Sequence, residues 1–123
     1  MILDIVKVGV IMILLDSIYL SMSKNYFARQ IQSIQGKPMK VIILPMVITY
    51  IILIFGLYYF IIKQRKSVMD AALLGFVIYG VYEFTNKTII AEWTYFTAIV
   101  DVIWGTILFG LTTYLYNRVN KML

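Results

Sequence analysis

Tyr79-Gly80-Val81-Tyr82-Glu83-Phe84-Thr85-Asn86 puts a carboxylate, two phenols and a carboxamide inside a run, residues 69–90, that otherwise reads as membrane-spanning. Gly75, Tyr79, Tyr82, Glu83 and Asn86 recur at spacings of three and four, so a helix gathers them on one stripe and leaves its other faces apolar. Hydrocarbon tolerates such a stripe only where it faces protein or a cavity. The octet therefore predicts a helix packed against other spans.

Three further apolar runs supply those neighbours. Residues 41–62 hold no charge over a length that crosses roughly 30 Å of hydrocarbon with some tilt. Pro45 falls near its start, where a missing N–H is harmless, and Tyr58-Tyr59-Phe60 closes it as an aromatic belt. Thr49 and Gly56 lie seven apart and suit close helix packing. Residues 5–23 form a helix whose stripe is Gly9, Met12, Asp16, Tyr19 and Ser23. The acids Asp4 and Asp16 fit neither part of a cleaved leader, so this run is read as a retained span. Residues 95–116 carry Thr97, Asp101, Trp104, Gly105, Leu108 and Thr112 on their stripe. The expectation is an all-α integral membrane protein: one four-transmembrane-helix bundle, residues 1–123, with helices over 5–23, 41–62, 69–90 and 95–116.

The connectors follow from local chemistry. Residues 24–40 are read as a polar connector with four basic residues, ending in the turn Gly36-Lys37-Pro38, with either an interfacial helix or a solvated loop before it. Ser67 followed by Asp70 has the form of a capping box, and Glu92-Trp93-Thr94-Tyr95 joins the third and fourth helices as a tight antiparallel hairpin. Trp93, Tyr114 and Tyr116 are read as interfacial anchors, Gly75, Gly80, Gly105 and Gly110 as packing contacts, and residues 117–123 as a basic tail.

Composition agrees and excludes much chemistry. Apolar residues make up 62% of the 123, and mean hydropathy is +0.88, well above a soluble domain. With no Cys and no His, disulfides, the usual zinc and haem sites and imidazole-based triads are excluded. No metal site and no cofactor is expected. The net charge of +5 comes from basic residues between the apolar runs, where anionic lipid headgroups meet them, so nucleic acid is not needed as a partner. Six basic residues fall on the face holding both termini and five on the other, which points to cytoplasmic termini.

Asp16, Glu83 and Asp101 each lie about six or seven residues from a helix end on one membrane face, roughly 10 Å below the interface at 1.5 Å per residue. Three acids in lipid, at on the order of 3 kcal/mol each near the centre, must be neutralised, paired or hydrated. Tyr19, Tyr79, Tyr82, Thr85, Asn86 and Trp104 are the expected partners, and Lys87 is placed to reach back to Glu83.

Leu15-Asp16, the octet at 79–86, Trp93 and Val100-Asp101-Val102-Ile103-Trp104-Gly105 together resemble, in order and over essentially the whole chain, the small membrane proteins grouped as domain of unknown function 2177. Glu83 stands where that family usually has Asp, and Lys87 where an apolar residue is commoner. The resemblance implies a four-helix membrane protein and brings no activity with it.

Three readings of the polar cluster Asp16, Tyr19, Tyr79, Tyr82, Glu83, Asn86, Asp101 and Trp104 follow. The first is binding or translocation of a proton or small cation, with a homo-oligomer expected if a pore is formed. The second is binding or modification of a lipid or other small amphiphile near the interface. The third is a structural or assembly subunit whose acids hold the helices in register. No nucleophile or cofactor motif accompanies the acids, so an enzyme ranks below a binding or transport protein.

Overall fold

A computed structural model describes residues 1–122 and contains four helices, α1 (Ile2–Gln35), α2 (Ile43–Leu57), α3 (Val68–Ile89) and α4 (Tyr95–Met122), each long and apolar enough to span a membrane once α2 is counted with the turn that continues it to Ile62. They form an all-α bundle, with α3 and α4 packed along their lengths, α1 against α4, and α2 against α1.

The predicted connector at 24–40 is mostly helix. No Gly or Pro interrupts the chain between Gly9 and Gly36, and Ser23, Tyr26, Phe27, Gln30, Ile31 and Ile34 continue the helical stripe towards protein. Thus α1 runs unbroken for 34 residues, about 51 Å at 1.5 Å per residue, beyond the thickness of the hydrocarbon core. Gly36 ends it in the left-handed conformation, φ 72°, its N–H bonded to the Gln32 carbonyl. The helix at 95–116 likewise continues through the basic tail to Met122; Leu123 lies outside the described residues.

The last turn of α2 widens into a π-helical turn at residues 58–62, closed by Lys63 N–H on the Tyr58 carbonyl at 2.8 Å. Arg65 then takes φ 54°, turning the chain into α3. The Ser67 capping box is present: Asp70 N–H donates to Ser67 Oγ and Ser67 N–H to Asp70 Oδ2.

Glycines let α3 and α4 approach. A Cβ on Gly75 would strike the Gly105 carbonyl, and one on Gly105 would enter the Tyr79 ring. Gly110 faces Ala72, whereas Gly80 faces open space. Gly56 also faces open space, and Thr49 is exposed and donates to the Pro45 carbonyl, so that pair makes no close helix contact. The α1–α2 approach is made at Gly9 against Ile54. The core is Val8, Met12, Leu57, Ile61, Leu108 and Phe109, nearer the end of the bundle that holds both termini. The first half of α2 buries almost nothing: Leu44, Ile48, Ile51 and Ile52 are exposed. This half stands off the bundle and leaves a cavity beside it.

Candidate functional site in the bundle

That cavity, of about 610 Å³, lies between the second half of α1, the start of α2 and the α3–α4 hairpin. Its wall is largely apolar, from Phe27, Ile31, Met39, Val41, Met46 and Leu53, with Lys24 also on it. Asp16, Glu83 and Asp101 all line it.

Heptad-like spacing aims these groups inwards. Positions 16 and 19 of α1, 79 and 83 of α3, and 101, 104 and 105 of α4 each fall on one face of their helix, and the glycine contact at Gly75 and Gly105 holds α3 against α4 at that level. Asp16 is buried and accepts from two donors, Tyr50 Oη of α2 and Trp104 Nε1 of α4, the latter at 2.8 Å. The Tyr19 ring stacks on Trp104, centroids 4.7 Å apart and planes 6° apart, and its hydroxyl donates to Asp101 Oδ1 at 3.1 Å. Glu83, 1% exposed, accepts from Trp93 Nε1 at 2.8 Å and lines the same cavity wall as its neighbour Asp101. One polar chain thus runs from Tyr50 through Asp16, Trp104, Tyr19, Asp101 and Glu83 to Trp93, touching all four helices.

Among the described residues no three acids are close enough together to hold a metal ion, and neither Lys nor Arg bonds to these carboxylates. Charge-assisted bonds from phenol and indole take that role. The arrangement places two carboxyls side by side at one end of the chain and a third, already doubly bonded, at the other.

Not every predicted member joins. Tyr79 lines the cavity and packs its ring on Gly105. Tyr82 lines it too but is 59% exposed, and Asn86 stands outside the lining. Thr85 is exposed. Lys87 does not reach Glu83: its ammonium donates to the Ala91 carbonyl at 2.9 Å and sits over the Tyr95 ring, where water and interface solvate it better than a buried acid would.

Two contributors escaped the sequence reading. Trp93 is 5% exposed, so it is no surface anchor; the tight turn after α3 folds its indole back under Glu83. Its position ten residues after an intramembrane acid, in a turn, was the available signal. Tyr50 carried none, being one phenol among apolar residues of α2. Tyr116, also read as an anchor, is buried at the opposite end and donates to Asp4 Oδ1 at 2.8 Å. Tyr114, by contrast, is exposed as an anchor should be.

No curated protein and no solved structure matches the chain. The model of one family, described as predicted membrane protein (DUF2177), matches residues 1–116, which take in all four spans and the entire polar chain, and the protein belongs to that family.

Proposed function

We propose that the cavity binds a small amphiphile or lipid within the membrane, with the Glu83–Asp101 pair holding its polar end as a proton or cationic group. The observation that carries this reading is an apolar-walled space of about 610 Å³ with the neighbouring residues Glu83 and Asp101 both in its lining. Its volume lies in the range of small-molecule sites, and an apolar wall with few polar groups is their usual composition. An alkyl chain would lie along Phe27, Met39 and Met46, and the lateral gap beside α2 opens towards lipid.

Binding is favoured over passage across the membrane by the packed apolar layer of Val8, Met12, Leu57, Leu108 and Phe109 beyond the acids. Proton or small-cation binding at the pair, the first sequence reading, is retained as the polar half of the same site. Asp16, satisfied by Tyr50 and Trp104, serves to fasten α1 to α2 and α4.

The chain's two tryptophans both bond to the site's acids, so their fluorescence reports on it directly. In lipid nanodiscs, a bromine-labelled alkylamine should quench this fluorescence saturably, and a bromine-labelled fatty acid of equal length should do so far less well. Glu83→Gln and Asp101→Asn should each weaken the amine at least about tenfold, the scale of a lost charged hydrogen bond. Equal, unsaturable quenching by both probes would overturn the reading. Proton flux in liposomes that vanishes in these variants would instead restore translocation.

A further inference from the structure

A second cavity, of about 600 Å³, lies at the opposite end of the bundle, between the close of α2, the C-terminal turns of α4 and the start of α1. It is independent of the carboxylate site and its chemistry is the reverse. Lys63, Arg65 and Lys66 line it against a single carboxylate, Asp4, which is already answered by the Tyr116 hydroxyl and the N-terminal ammonium. The Asn120 side-chain oxygen accepts from Lys7 Nζ at 3.1 Å, and Asn120 and Asn117 also line the space. The left-handed Arg65 brings the three cations together: the turn it makes folds Lys66 N–H back onto the Ile61 carbonyl at 2.9 Å.

The charge imbalance points to a ligand: three cations line one space against a single carboxylate that is already bonded. Thr113 also lines the cavity, with its hydroxyl oxygen turned into the protein interior, where it and that of Thr112 are unpaired. Two side-chain amides and three cations around one space form a donor-rich site.

We infer that this cavity holds the phosphate of an anionic phospholipid headgroup. Cations at headgroup level attract anionic lipid, and guanidinium and ammonium donors match phosphate oxygens. The exposed Phe55, Tyr59 and Phe60 on the adjoining turns of α2 offer an apolar surface on which the acyl chains of the same lipid lie.

The test uses the full chain in detergent, titrated calorimetrically with dihexanoyl phosphatidic acid, dihexanoyl phosphatidylcholine and inorganic phosphate. Phosphatidic acid should bind once per chain and more tightly than the zwitterionic lipid. Lys63→Ala combined with Lys66→Ala should weaken it at least about tenfold, with the thermal stability of the lipid-free protein unchanged. Lys37→Ala with Lys40→Ala, on the other membrane face, should leave it unchanged. Competition by inorganic phosphate would support recognition of the phosphate itself. An equal loss in the Lys37/Lys40 variant, or none in the Lys63/Lys66 variant, would overturn the site. Binding of inorganic phosphate without phosphatidic acid would overturn the lipid assignment.

Discussion

Gly105 holds the tightest point of the molecule: its missing side chain is the space that the Tyr79 ring fills, and its carbonyl lies against Gly75. Asp101 and Trp104 sit four and one residues before it, so the carboxylate site depends on this approach. Gly105→Ala is expected to lower stability by about 1–3 kcal/mol, the usual penalty of overpacking, because neither an aromatic ring nor a backbone carbonyl yields easily. Gly80→Ala should be neutral or stabilising by up to about 1 kcal/mol, since its methyl meets nothing and alanine is the better helix former. Thermal unfolding in detergent checks both. Glycine as a packing residue was legible in the sequence, but which glycines pack was not: Gly75 and Gly80 read alike, and only the rotation of α3 against α4 separates them.

At the scale of elements, α1 is the connecting member. Beyond the membrane-length portion, its last turns dock on the α3–α4 hairpin: Gln30 is buried, donates to the Glu92 carbonyl at 2.8 Å and accepts from Thr97, while the Tyr26 hydroxyl meets that of Thr97 at 2.6 Å. Thr94 caps α4 by accepting from Thr97 N–H, so the clamp also sets where α4 begins. Phe27 and Ile31 of the same turns line the cavity. Gln30→Leu should therefore leave the Glu92 carbonyl without its donor and take one acceptor from Thr97, lower stability by about 1–3 kcal/mol and release residues 24–35. Faster amide hydrogen exchange in that stretch, with α4 beyond Asp101 still protected, is the expected signature; unchanged exchange would mean the clamp does not hold the extension. The helical stripe through Tyr26, Gln30 and Ile34 was present in the sequence, but polarity and four cations made the segment resemble a connector. A polar helix face counts as buried only once a polar partner is known, and that partner lies more than sixty residues away.

For the whole molecule, four candidate spans put both termini on one side of the membrane, and an excess of basic residues there, six to five, predicts that side to be the cytoplasmic one. Reporter fusions at either end should therefore agree with each other and read as cytoplasmic; disagreement would remove one span. The two cavities then lie at opposite ends of the bundle, acids on one face and cations on the other, with the apolar core between them nearer the cations. The number of candidate spans, the stripes of α1 and α4, the capping box at Ser67 and the gathering of Asp16, Glu83 and Asp101 towards one end of the bundle were legible in the sequence alone, because each follows from spacing along one helix or from counting residues to a helix end. Tertiary structure alone decided that Tyr50 and Trp93 bond to the acids, that Asn86 stands apart, that Thr113 is left unpaired, and that α2 stands off to open a cavity. Those outcomes depend on how helices rotate and tilt against one another, and that is settled by contacts between residues far apart in the chain, which no periodicity within a single helix encodes.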